Sequence, residues 1–212
     1  MSKGTFISFE GPDGSGKTSV IKAIAAYIEE KGQSVYTTRE PGGTGSEIAE
    51  EIRELILDVR HTNMDARTEA LLYAAGRRQH LTEVILPQLE QGHLVLSDRF
   101  VDSSLVYQGV ARGLTVEKVR EINDFAIEGH LPDMTILIDV PAEVGLERIY
   151  AAKGTRQFDR LDQEGLDFHQ SVRSAFLKLE ESDERIHLIN GNQPIEAVVN
   201  DCLELLKTHN LI

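Results

Sequence analysis

Five short apolar runs punctuate the chain, at 5–9, 34–38, 93–97, 134–140 and 185–190, each aliphatic or β-branched and bounded by turn or polar residues. They read as strands. Between them the apolar positions recur at helical spacing. Val20, Ile24 and Ile28, with Ile21 and Ala25 alongside, run to a stop at Gly32. Ile48, Ile52, Leu55 and Ile56 share a second face. Leu71, Leu72 and Ala75, then Leu81, Val84 and Ile85, form a longer pattern that Pro87 should end or kink. Val116, Val119, Ile122 and Ala126 lie between an N-cap at Thr115 and a stop at Gly129. Two more helices are predicted over 166–181 and 194–209, the second with Pro194 in its first turn, where a missing N–H costs nothing. Strand and helix alternate throughout. That order predicts right-handed crossovers and a five-stranded parallel sheet with helices on both faces, in one α/β domain over residues 1–212. In such a sheet ligands gather at the carboxyl ends of the strands.

The loop after the first strand carries the sharpest chemistry. Gly11, Pro12, Asp13, Gly14, Ser15, Gly16, Lys17 and Thr18 have the spacing G-x-x-x-x-G-K-[ST], directly behind a strand and opening a helix. In this P-loop the glycines let backbone N–H groups turn in around phosphate oxygens, the lysine reaches the outer phosphates, and the threonine hydroxyl meets Mg²⁺. The expected ligand is a nucleoside triphosphate. The fold class then becomes a P-loop NTPase-type three-layer architecture.

The loops after the other strands supply further candidates. Arg39-Glu40-Pro41-Gly42-Gly43 is a defined turn that holds Arg39 toward the phosphate side, with Pro41 open to a cis bond. Asp98, ending the third strand, has the Walker B position from which a carboxylate orients Mg²⁺, and Arg99 next to it faces the acceptor. Tyr73 and Arg77, spaced i and i+4, put a ring and a bidentate donor on one helix face, suited to stacking on and hydrogen-bonding a base. Ser103, Ser104, Tyr107 and Gln108 form a polar, helix-spaced group beyond Arg99. The polar, glycine-flanked stretch 153–165, with Arg156 and Arg160, reads as a mobile lid.

Composition narrows the rest. At net charge −13 the surface field repels nucleic acid and anionic lipid, so neither is an expected partner. No apolar stretch approaches the ~20 residues of a membrane span, and the N-terminus lacks a signal-peptide pattern, which reads as a soluble, cytoplasmic protein. Cys202 is the only cysteine, expected as a small core residue. The seven histidines lack metal-ligand spacing; most are expected at the surface and none is given a role.

A P-loop suits a hydrolytic switch, a motor ATPase or a small-molecule kinase. The Asn-Lys-x-Asp guanine reader is absent, and an arginine-bearing lid with a second arginine cluster favours a kinase, which must exclude water from its two substrates. A phosphate acceptor is already an anionic nucleophile, so many arginines without an obvious general base point to a nucleoside monophosphate. A kinase for another acceptor and a non-catalytic nucleotide-binding switch remain as alternatives.

The motifs Phe9 to Thr18, Arg39 to Gly43, Leu71 to Leu81, Asp98 to Phe100, Ser103 to Gly109 and Asp159 to Glu164 resemble, in order and over nearly the whole chain, the bacterial thymidylate kinases. The resemblance implies transfer of a phosphoryl group from ATP to dTMP with Mg²⁺, in a homodimer. Carried over by position, it implies ATP phosphate and Mg²⁺ at Lys17 and Thr18, and the dTMP sugar 3′-hydroxyl at Asp13. It places the dTMP phosphate at Arg39 and Arg99. Tyr73 would stack on thymine, where the family more often has Phe; Arg77 would reach the base carbonyl and Gln108 the base edge. Tyr107 would crowd a ribose 2′-hydroxyl. Arg156 and Arg160 would stabilise the transferring phosphoryl, since this P-loop has no arginine of its own. Phe100 stands where the family commonly has Tyr or His.

Overall fold

The computed structural model describes residues 4–152 and 164–212. The predicted lid, with Arg156 and Arg160, lies in its greater part outside the described residues. Five strands, β1 (Thr5–Glu10), β2 (Val35–Arg39), β3 (Leu94–Asp98), β4 (Met134–Asp139) and β5 (Ile186–Asn190), form one parallel sheet in the order β2-β3-β1-β4-β5. The register sets Ile7 beside Leu96 and Met134, and Phe9 beside Asp98, so the ends of β1 and β3 are level. The loops that leave these ends therefore meet.

Because successive strand residues point to opposite faces, the sheet splits its apolar residues between two cores. Ile7, Phe9, Leu94, Leu96, Ile136 and Ile138 face α1 (Lys17–Glu30), which buries Val20, Ile21, Ile24, Ala25 and Ile28, and α9 (Ile195–Thr208), which buries Val198, Cys202, Leu203 and Leu206. Phe6, Val95 and Leu137 face the other way, with Leu81, Ile85, Phe100, Leu105, Val119 and Phe176. Cys202 is fully buried, and burial pushes its thiol up to about 12, where it is inert. The helices on this second side are α3 (Ala66–His80), α6 (Val116–Ile127) and α8 (Leu166–Glu180). The helix that follows β4, α7 (Ala142–Ala151), lies next to the P-loop: a Cβ on Gly14 would come 2.3 Å from the Gly145 carbonyl oxygen.

Several local expectations are corrected. The helix does not stop at Pro87: α3 passes through a π turn at Leu81–Ile85 into α4 (Leu86–Glu90), and Leu86 N–H bonds Leu81 C=O. Pro87 sits in the first turn of α4, where its missing N–H costs least. Thr115 occupies the N-cap of α6 but makes no side-chain capping bond, because its backbone turns to φ 73° and its N–H reaches Gly109 C=O instead. Most important, the apolar face read for α3 points outward. Leu71 is 56% exposed, whereas Glu69, Arg77 and His80 are buried beside Ala70, Ala74 and Gly76. On α2 (Glu47–Leu57) Ile56 is buried, but Ile48 and Leu55 are exposed.

Candidate active site

A cleft of about 520 Å³ opens at the carboxyl ends of the strands. It is lined from the P-loop by Asp13, Gly14, Gly16, Lys17 and Thr18, from the β2 turn by Arg39 and Pro41, and from the β3 end by Asp98 and Arg99. Tyr73, Ser103, Ser104, Tyr107 and Gln108 close its far wall. Twelve of the residues singled out for donor, acceptor or metal thus share one cavity, although they come from segments up to 95 positions apart.

The P-loop shape follows from its glycines. Gly11 adopts φ 135° with the Ile138 carbonyl 2.2 Å from where a Cβ would sit, so no larger residue lets the loop leave the sheet this way. Gly16 caps α1 in the left-handed region without any side-chain bond, which leaves the first N–H groups of the helix for an anion. Lys17 lies against the loop, its Nζ donating to the carbonyls of Gly11 (3.1 Å) and Pro12 (3.0 Å) and to Ser15 Oγ (3.2 Å). Burial, and then the Arg99 guanidinium, lower its ammonium to about 8 against the pull of Asp98, Asp13 and Glu10. Thr18 Oγ1 donates to Asp98 Oδ2 at 2.6 Å, joining the two residues expected at Mg²⁺.

Arg99 is the hub. It stands at φ 73°, a conformation costly for a non-glycine residue and held here by its N–H to Phe9 C=O at 2.9 Å. Its guanidinium donates to Asp13 Oδ1 (2.6 Å), Gly11 C=O (3.1 Å), Ser103 Oγ (2.9 Å) and Tyr107 Oη (3.3 Å). Tyr107 donates in turn to Asp13 Oδ2 at 2.8 Å. Burial would raise the Asp13 carboxyl, but Arg99, Lys17 and the Tyr107 hydroxyl outweigh it and hold Asp13 down at about 2. Below these groups Glu10 accepts from Phe100 N–H (2.7 Å) and Ser103 N–H (3.3 Å), bracing the turn that carries Arg99. Burial, followed by the nearby Asp102 carboxylate, pushes Glu10 up to about 7.

Arg39 donates to Pro41 C=O (2.8 Å) and Glu50 (3.0 Å), across a Glu40–Pro41 bond that is cis. Arg77 is placed differently from its neighbours. It lies behind Ser104, off the cleft wall, with four of its five N–H groups given to Glu40 Oε2 (2.7 Å), Ser104 Oγ (3.0 Å), Asn123 Oδ1 and Phe100 C=O (3.1 Å). Glu40 also faces His80 Nδ1 at 3.2 Å, and His80 Nε2 meets Thr38 Oγ1 at 2.7 Å. His80 and His169 are buried, two exceptions to the expectation that most of the seven histidines lie at the surface. Sequence reasoning missed Arg53 and Arg148, which line the cleft, and Glu10 and Glu69 behind it. For Glu10 the signal was available, since a carboxylate inside an apolar strand demands partners; for Glu69 it was not, because only tertiary contacts bury that face of α3.

Fold and cleft together define a P-loop nucleoside monophosphate kinase architecture. The thymidylate kinase family profile matches residues 9–202. The chain is 54% identical over 208 residues to a thymidylate kinase of Halalkalibacterium halodurans, covering 98% of both chains. It is 53% identical to one from Latilactobacillus sakei (98% of this chain, 97% of that one) and 50% identical to one from Clostridium novyi (98% and 100%). The chain belongs to the thymidylate kinase family.

Proposed function

We propose that the chain, acting as one kinase domain over residues 1–212, catalyses the phosphorylation of dTMP by ATP and divides the work of the cleft as follows. The observation that carries this reading is the convergence of Lys17, Arg99, Asp13 and Tyr107 with the Tyr73 and Gln108 wall in one cavity. Lys17 and the N–H groups of Gly14 to Thr18 hold the donor phosphates. Arg39 and Arg99 hold the acceptor phosphate, Asp13 takes the sugar 3′-hydroxyl, and Tyr107 excludes a 2′-hydroxyl. Tyr73 stacks on the base, Ser104 and Gln108 meet its edge, and Arg77, behind the wall, holds Ser104 in place for it.

Thr18 and Asp98, an oxygen pair 2.6 Å apart, fit Mg²⁺, and the ion would neutralise charge on the donor phosphates there. In the transfer, an oxygen of the dTMP phosphate forms a bond to the γ-phosphorus while its bond to the β–γ bridging oxygen breaks, and ADP leaves with that electron pair. No proton is abstracted, so positioning and charge suffice. The P-loop brings Asp13-Gly14-Ser15 and no arginine, so Arg156 and Arg160 supply charge to the transferring group.

We assign the enzyme to the cytoplasm, and infer a homodimer because α2, α3 and α6 each expose large apolar side chains, Ile48 and Leu55, Leu71, and Phe125 in turn, the last 88% exposed. Sedimentation of wild type and Phe125→Glu tests it: a dimer converted to monomer supports the inference, and an unchanged mass opposes it.

The activity is tested by supplying Mg-ATP with dTMP, UMP, AMP and GMP in parallel. Preferred transfer to dTMP is expected; a preference for another monophosphate would show a kinase of different acceptor, and nucleotide binding without transfer would show a switch. In the Arg156→Ala/Arg160→Ala protein kcat should fall much further than dTMP affinity.

A further inference from the structure

The base wall contains a side chain whose two ends are chemically opposite and whose orientation is fixed from behind. Gln108, in the π turn Leu105–Ala111, lines the cleft and is 1% exposed. Its Nε2 donates to Glu69 Oε1 at 2.8 Å. Glu69, equally buried on the inner face of α3, lies outside the cleft lining and also faces Arg112 Nε at 3.5 Å. Arg112 is in turn anchored to Glu164 at 2.7 Å, and its guanidinium lies 5.3 Å from the Phe168 ring centroid. A carboxylate only accepts hydrogen bonds, so the amide must show it the NH₂ end. Reversing the amide would set two oxygens against each other in a buried site and cost Glu69 the Gln108 donor.

We propose that Glu69, which touches no substrate, is a positioning residue for pyrimidine choice: it holds the Gln108 amide so that the oxygen, and not the nitrogen, is turned from Glu69 toward the base. This rests on the reading above that Gln108 meets the base edge. A fixed acceptor suits a ring N–H, which thymine and uracil carry at position 3. Cytosine has a bare nitrogen there, an acceptor facing an acceptor. Recognition by a polar group that cannot adapt discriminates strongly, because the wrong base leaves a buried atom unpaired. The device separates cytosine from thymine and does nothing to separate uracil from thymine. Arg112 supports it by donating from Nε to the same Glu69 oxygen.

The test compares kcat/KM for dTMP and dCMP, with Mg-ATP, in the full-length wild type, Glu69→Gln and Gln108→Leu. Glutamine at 69 offers Gln108 both a donor and an acceptor, so the amide at 108 is free to reverse. The dTMP-over-dCMP ratio should then narrow about tenfold, mostly through KM for dTMP, with both substrates still turned over at a similar kcat. A merely structural role would lower both substrates together and leave the ratio unchanged. If Gln108→Leu narrows the ratio and Glu69→Gln does not, the positioning role is overturned while base reading by Gln108 stands. If Gln108→Leu itself leaves the ratio intact, base reading by Gln108 fails and the inference with it. Should Glu69→Gln lower the melting temperature, Glu69→Asp carries the decision. A carboxylate one methylene short must recover part of the ratio relative to Glu69→Gln, and equal ratios in the two variants would overturn the proposal.

Discussion

Helices α1 and α3 are nearly the same length and lie on opposite sides of the sheet, yet they bury opposite kinds of residue. α1 turns Val20, Ile21, Ile24, Ala25 and Ile28 inward, with Lys17 at its first turn. α3 turns Glu69, Arg77 and His80 inward and leaves Leu71 more than half exposed. The first is held by removal of apolar surface from water. The second is held by partners: Arg77 to Glu40, Ser104, Asn123 and Phe100, His80 to Glu40 and Thr38, Glu69 to Gln108 and Arg112. A buried ionic network of this kind is weak support for the fold, since well-packed apolar residues would serve as well, but breaking it is costly because the remaining partner is stranded. Its place behind the base wall is what gives it a use.

Arg77→Met should therefore have the largest effect, a loss of about 4 kcal/mol in urea unfolding, because it leaves the Glu40 carboxylate buried without its main partner. Ile24→Ala in α1 should cost about 3 kcal/mol by cavity formation alone. If Arg77→Met proved the milder of the two, α3 would be packed on apolar contacts after all. Asp13→Asn comes next. The folded carboxyl at about 2 lies below its ordinary 3.8, so its ionised form stabilises the fold above pH 4 and that contribution is lost as pH falls toward 2. The variant should be up to about 2 kcal/mol less stable at pH 7, and the gap should close in acid melts below pH 3. Leu71→Ser, on the outward face of α3, should change monomer stability by no more than about 0.5 kcal/mol. A larger drop that depends on protein concentration would instead place Leu71 in the dimer contact.

The contrast also explains what the amino-acid pattern disclosed. Five strands were read to within a residue or so at each end, and α1 with its P-loop was plain, because apolar periodicity and a glycine motif are local signals. The π turn that carries α3 past Pro87 has no such signal. Nor does the inward face of α3: Leu71, Leu72 and Ala75 are as apolar and as regularly spaced as the buried residues of α1. Only tertiary partners such as Glu40 on the β2 turn and Asn123 on α6 decide that Arg77 goes inside. Arg53 and Arg148 went unread for the same reason, since an arginine on a helix is ordinarily solvated.

If the polar face of α3 exists to hold the acceptor, its variants must lose acceptor binding beyond what they lose in stability. Calorimetric titration of Arg77→Met and Ile24→Ala with dTMP and with ATP, at a temperature where both are folded, measures this directly. Arg77→Met should weaken dTMP at least about tenfold while ATP affinity stays at the wild-type value, and Ile24→Ala should leave both unchanged. Equal losses for dTMP in the two variants, or a parallel loss of ATP in Arg77→Met, would contradict the account.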